Sequence, residues 1–128
     1  MKIEHIALWT KNLESMKQFY VDYFDGLAEA KYHNKETDFE SYFISFSAGA
    51  RLEIMQMANV ISSDKKDGLY SGYVHIAFSV GSKEKVNQLT ERLRVDGYTI
   101  ASEPRATGDG YYESCVLDLD GNQVEITV

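Results

Sequence analysis

Only one cysteine, one proline and one tryptophan occur among the 128 residues. The solitary Cys115 has no second thiol to pair with inside the chain, which excludes the disulfide-stapled scaffold of small secreted domains. Lying in the strand-like run 114–119, it is expected to be a core thiol rather than a nucleophile. Long apolar runs are missing too. Nothing approaches the roughly 18 consecutive apolar residues of a membrane span, and the N-terminus lacks the basic segment and apolar core of a secretory signal. A cytoplasmic location is the expectation. Positive charge is scarce: 13 Lys and Arg face 20 Asp and Glu, a formal net charge of −7. Nucleic acid and anionic membrane surfaces are recognised through clustered cations, so both are poor partners for this chain. A small molecule is the expected ligand.

What is present is an ordinary globular mixture, 44% hydrophobic, 26% charged and 12% aromatic, long enough to bury a core as one compact domain. It is organised as a repeat. "IEHIALWT" near the N-terminus and "YVHIAFSV" at residues 73–80 place His5 and His75 at matching points of two strand-like runs, 75 − 5 = 70 residues apart. A helical pattern follows each run. In the first, Leu13, Met16, Phe19, Tyr20, Tyr23, Phe24 and Leu27 recur at steps of three and four, with Asn12 placed to cap and Gly26 to stop the helix. In the second, Ser82 is the cap, Val86, Leu89 and Leu93 form the stripe and Gly97 is the stop.

Three strand-like segments follow each helix, at about 28–33, 39–47 and 50–57 and again at about 98–103, 111–119 and 122–128. Each half ends in a hairpin turning at glycine, Gly49 and Gly121, 121 − 49 = 72 residues apart. The chain therefore reads as two β-α-β-β-β modules, residues 1–58 and 73–128, joined by a polar linker at 59–72. "EPRATGDGYYE", residues 103–113, reads as a loop before the penultimate strand, and His33 is assigned to solvent or a loop.

Strand alternation sends successive side chains to opposite faces. Ile6 and Leu8 oppose His5, Ala7 and Trp9; Leu52 and Ile54 oppose Glu53 and Met55; Val74, Ile76 and Phe78 oppose Tyr73, His75 and Ala77; Val124 and Ile126 oppose Glu125. Each aliphatic face is the natural seat of its module's helix. Each module then offers one His and one Glu on its uncovered face, and Glu53 and Glu125 are 125 − 53 = 72 residues apart. Taken singly, a strand His is usually hydrogen-bonded and inert, and a strand Glu is usually solvated. Two of only three histidines and two glutamates in matching Leu/Val-Glu-Ile contexts point instead to a shared divalent cation, which relieves both the burial and the mutual repulsion of two carboxylates.

"IEHIALWT", "RLEIM", "YVHIAFSV" and "LDLDGNQVEITV" resemble the signature segments of the vicinal oxygen chelate superfamily, which includes glyoxalase I, methylmalonyl-CoA epimerase, extradiol dioxygenases, and fosfomycin- and bleomycin-resistance proteins. The resemblance covers essentially the whole chain. It implies an α+β fold of two βαβββ modules forming a cupped mixed sheet with helices on the outer face, commonly in a homodimer. It also implies His5, Glu53, His75 and Glu125 as the metal ligands of the bacterial glyoxalase I (lactoylglutathione lyase) pattern. Nickel, cobalt or zinc is the expected metal, with iron or manganese behind them. Four protein ligands leave two positions of an octahedral ion for a bidentate substrate, where an extradiol dioxygenase needs three. Glu125 is implied as the base that moves a proton between adjacent carbons through an enediolate-like intermediate, with Glu53 as its pseudo-symmetric counterpart.

The resemblance has a boundary. Trp9 and Met57 stand where the glutathione-using pattern has Arg and Asn, and neither an indole nor a thioether grips a carboxylate as a guanidinium does. Trp9, Met55, Met57 and Tyr73 either line an apolar substrate pocket or fill the interior or a dimer interface. Arg105 is either an anchor for an anionic substrate or a solvated loop residue. Three functions follow from the reading: a metal-dependent lyase or isomerase, a ligand-binding resistance protein on the same scaffold, and a thiol transferase of the fosfomycin-resistance type.

Overall fold

A computed structural model describes residues 1–62 and 71–128. Most of the expected linker, 63–70 of 59–72, lies outside the described residues. The chain divides into two compact units, Met1–Lys65 and Lys66–Val128. The elements of the first end by Gln56 and those of the second begin at His75, within the two modules expected.

Unit 1 comprises β1 (His5–Trp9), α1 (Leu13–Phe24), β2 (Leu27–Ala28), β3 (Tyr32–Asn34), β4 (Phe39–Ser45) and β5 (Arg51–Gln56). Its sheet runs β1-β5-β4-β2, with β3 also on β4; β1 lies parallel to β5 and the other pairings are antiparallel. The single strand expected at 28–33 is two short pieces, pairing with Ile44–Ser45 and with 39–41 of β4 respectively. His33 therefore stands on a strand, exposed, with Nε2 2.9 Å from Asp38 Oδ1. α1 buries Leu13, Met16, Phe19, Tyr20 and Phe24 against a sheet face bearing Ile44, Leu52 and Ile54, so the aromatic stripe is the core of this half.

The ends of α1 differ from expectation in chemistry. Asn12 makes no side-chain cap; the Leu13 N–H donates to Gln56 Oε1 at 2.8 Å, so β5 caps the helix from across the unit. At the other end Asp25 takes the left-handed conformation (φ 53°). Gly26 is required for closeness instead: a Cβ there would lie 2.6 Å from Ile44 Cγ2.

Unit 2 comprises β6 (His75–Ser79), α2 (Lys83–Val95), β7 (Ile100–Ala106), β8 (Tyr112–Leu117) and β9 (Gln123–Thr127), in the order β6-β9-β8-β7 with β6 parallel to β9. Ser82 caps α2 by accepting from the Lys85 N–H at 3.3 Å, and Gly97 follows the helix with φ 91°. α2 buries Val86, Thr90 and Leu93 against Val116, Val124 and Ile126, while Leu89 is only half-buried. Thr90 enters the core because its hydroxyl is satisfied twice: Oγ1 donates to the Val86 carbonyl at 2.7 Å and meets Ser114 Oγ at 2.6 Å.

The segment 103–113 is not all loop. β7 extends to Ala106 and carries Pro104 and Arg105, and only the turn around Thr107–Tyr111 is irregular. β7 is the outermost strand, where a residue without an N–H is tolerated, and its register against β8 shifts twice between Ile100 and Arg105. No helix among the described residues is long and apolar enough to cross a membrane.

Candidate functional site

In unit 1, β1 and β5 run side by side with Ala7 opposite Glu53 and Trp9 opposite Met55. His5, Ala7, Trp9, Glu53 and Met55 therefore share one face, and Ile6, Leu8, Leu52 and Ile54 share the other, on which α1 is seated. His5 Nε2 lies 3.8 Å from Glu53 Oε2. The opposite nitrogen of the ring, Nδ1, meets the Glu4 carboxylate, which is itself held by Arg51 Nε at 2.9 Å. A carboxylate can only accept, so Glu4 draws a proton to Nδ1, while Glu53 Oε2 at 3.8 Å lies beyond hydrogen-bond range of Nε2. These bonds from His5 and Arg51 hold the Glu4 carboxyl below its usual range. The edge of the Phe43 ring, 5.4 Å from the imidazole, completes the seat, and Arg51 stacks on that same ring at 4.2 Å.

Unit 2 repeats the pairing with different surroundings. Ala77 lies opposite Glu125 and Cys115 lies opposite Glu125 on the other side, so His75, Glu125, Cys115 and Glu113 share the face away from α2. His75 Nε2 is 3.6 Å from Glu125 Oε2. Burial pushes the Glu125 carboxyl above its ordinary range, and the neighbouring Glu113 carboxylate pushes it further. Cys115 thus belongs to this face rather than to the core: it is half-buried, and burial together with the Glu125 charge raises its thiol, which keeps it protonated and inert.

The remaining predicted residues separate. Trp9 is partly exposed, its indole edge-on to Phe39 at 6.0 Å, and Tyr32 lies 6.1 Å beyond on the same ring. Met55 flanks Trp9 on β5, and Met57 lies just past the end of that strand. Tyr73 precedes β6 and is 96% exposed, so it lines no pocket in its own unit; β6 starts two residues later than the apolar pattern suggests. Arg105 projects on the Glu113 side of β7, as the register Arg105 opposite Glu113 requires. The sequence reading missed Glu4, Phe39, Phe43 and Glu113. Glu4 was detectable as the carboxylate adjoining His5, whereas the other three become visible only once strand register is known.

Each His–Glu pair is chemically suited to a divalent ion. Adjacent ligands of one ion lie about 3 Å apart when the bonds are about 2.1 Å, and a neutral imidazole with a carboxylate is a common donor set for zinc, nickel or cobalt. Among the described residues no group of three or more His, Cys, Asp or Glu gathers to hold a metal, so each unit on its own supplies two donors.

The chain matches the family model of the Glyoxalase/Bleomycin resistance protein/Dioxygenase superfamily over residues 2–126 and belongs to that superfamily. Among curated proteins it is 28% identical over 127 residues to the uncharacterized protein YqjT of Bacillus subtilis (strain 168), covering 97% of this chain and 96% of that one. Its fold is similar to that of a glyoxylase/bleomycin resistance protein/dioxygenase domain from Frankia sp. EAN1pec, with a TM-score of 0.82 at 18% identity, covering 100% of this chain and 97% of that one. It is also similar to the trypanothione-dependent glyoxalase I of Leishmania major, with a TM-score of 0.77 at 21% identity, covering 99% of this chain and 86% of that one.

Proposed function

We propose that the protein is a metal-dependent lyase or isomerase of the glyoxalase I type, acting as a homodimer on a small α-hydroxycarbonyl compound such as a hemithioacetal. His5, Glu53, His75 and Glu125 are its ligands for one divalent ion per site, nickel, cobalt or zinc before iron or manganese. The observation that carries this reading is the repetition of a His Nε2 facing a Glu Oε2, at 3.8 Å in one unit and 3.6 Å in the other, on equivalent strands. A divalent ion bound there supplies charge stabilisation to two vicinal substrate oxygens. The protein's own share is proton transfer: Glu125 takes the proton from the carbon beside the carbonyl and returns it to the neighbouring carbon. In the metal-free chain burial and the Glu113 carboxylate push the Glu125 carboxyl upward, the direction that favours a base over a solvated carboxylate. Glu53 is the counterpart in the other half.

The test combines metal analysis of protein purified without added metal with isomerisation assays on methylglyoxal adducts of several thiols. Glu125→Gln should keep its metal and lose roughly 10²- to 10⁴-fold in kcat. No turnover with any thiol adduct would remove the lyase reading.

One observation favours a second reading, a ligand-binding protein on the same scaffold. Trp9, Phe39 and Tyr32 form a partly exposed aromatic surface on the face that carries His5 and Glu53. Quenching of the sole tryptophan by an aromatic compound in metal-free protein, without turnover, would support it.

A further inference from the structure

The four arginines of the chain have different degrees of freedom. Arg51 is committed to Glu4 and Glu29, with Nε 2.9 Å from the first and Nη1 3.1 Å from the second. Arg94 is committed to Glu91 and Glu103, with Nε 3.0 Å from the first and Nη2 2.6 Å from the second. Arg92 lies on α2, near Asp96 at 4.0 Å. Arg105 differs from the other three in place and in partners. It stands on the sheet face that carries His75 and Glu125, and its Nε donates to Ser102 Oγ at 3.3 Å. Its Nη2 lies 3.7 Å from Glu113 Oε1, beyond hydrogen-bond range, and the side chain is more than half exposed. Among the described residues the two η nitrogens therefore make no hydrogen bond. The forked edge of a guanidinium matches a carboxylate in shape and in number of donors, and a fork left open beside a catalytic carboxylate is suited to one.

We infer that Arg105 is the specificity-determining residue of the site and takes a carboxylate of the substrate, in competition with the Glu113 carboxylate 3.7 Å away. The inference rests on the function proposed above and names its substrate class: a hydroxycarbonyl compound whose thiol portion ends in a carboxylate. Ser102 fixes the guanidinium by its Nε and leaves the η edge to the ligand. Glu113 and Asp109, which also senses the Arg105 charge, keep the local balance acidic, so an anion binds only where the fork engages it directly.

Two measurements test this together. The first is the ratio of kcat/KM for the methylglyoxal adduct of 3-mercaptopropionate to that of 2-mercaptoethanol. Arg105→Met should lower the ratio about ten- to hundredfold, the value of a charge-assisted hydrogen-bond pair. Glu113→Gln should raise it roughly two- to fivefold by removing the internal competitor. An unchanged ratio in Arg105→Met overturns the inference. The second is an NMR titration of metal-free wild-type protein with 3-(methylthio)propionate and with its amide, following the Arg105 Nε–H signal. The acid should shift it and the amide should not; equal shifts overturn the inference even if the variant fails to fold. A selective shift without turnover of either adduct leaves the anion site standing and removes the lyase reading, which keeps the two failures distinguishable.

Discussion

His5 and His75 begin equivalent strands and face equivalent glutamates, yet Glu4 and Arg51 enclose the ring of the first while a valine precedes the second. Among the described residues no carboxylate reaches Nδ1 of His75. The glutamates differ the other way: Glu125 has Glu113 and Cys115 beside it on its face, and Glu53 has the rings of Phe43 and, past Met55, of Trp9 and Phe39. The duplicated units thus surround their His–Glu pairs differently. Unit 1 has a histidine held by a carboxylate and an aromatic surround; unit 2 has a carboxyl raised by burial and an exposed arginine on the same face, which under the function proposed above divides ion holding from proton transfer.

The packing beneath the two faces diverges as well, and here the largest effect is expected. Phe19 is buried among the rings of Tyr20, Tyr23 and Phe24 at centroid distances of 5.1, 5.5 and 5.6 Å. Phe19→Ala should cost about 3–5 kcal/mol in urea denaturation, as aromatic deletions from a close-packed core do. Val86→Ala in α2 should cost less, and equal losses would erase the distinction between an aromatic and an aliphatic half.

Next in size is the clamp on His5. If His5 is a metal ligand as proposed, Glu4→Gln should weaken zinc binding about 10- to 100-fold, measured by chelator competition, because the group that orients the ring loses its charge and weakens its tie to Arg51. In metal-free protein, nitrogen NMR should find a larger fraction of His5 as the Nδ1–H tautomer in the wild type than in the variant, whose amide can accept or donate, with His75 unaffected by the change. Movement of both histidines would mean that the halves do not orient their ligands independently.

The smallest effect lies on the surface of unit 1. Lys31 and Lys17 hold the Glu14 carboxyl down at about 2, with the Tyr42 hydroxyl donating to it at 3.0 Å. A depressed carboxyl stabilises the fold above its ordinary value near 4.5, and that contribution is lost as the pH falls through the folded value. Glu14→Gln should therefore destabilise by up to about 1 kcal/mol at pH 7, the range of exposed ion pairs, and the gap should close between pH 4.5 and pH 2. A gap independent of pH would place the contribution in packing rather than charge.

Much of the architecture was legible because period-two alternation and glycine turns are local signals: both His–Glu pairs, the helices and the hairpins at Gly49 and Gly121 could be read along the chain. What escaped was set across strands. Proline and glycine made 103–113 read as loop, but an outermost strand tolerates Pro104, and this moved Arg105 onto the sheet. Glu113 acquires meaning only through its register against Arg105 and its neighbour Cys115 against Glu125. Leu89 was preferred to Thr90 because hydrophobicity cannot show that Ser114 waits on the sheet to satisfy a hydroxyl. Tyr73 was placed on the face of His75 because alternation was extended two residues beyond the point where β6 begins.

Pro104 has one more consequence. A sheet that ends in an open strand invites a stranger's backbone to add itself as the next rung, and repeated addition grows fibrils. The residue that cannot donate, set in a rim strand bent by two register slips, spoils that template. The sole proline of the chain thereby removes one donor from the outermost strand of the second half's sheet.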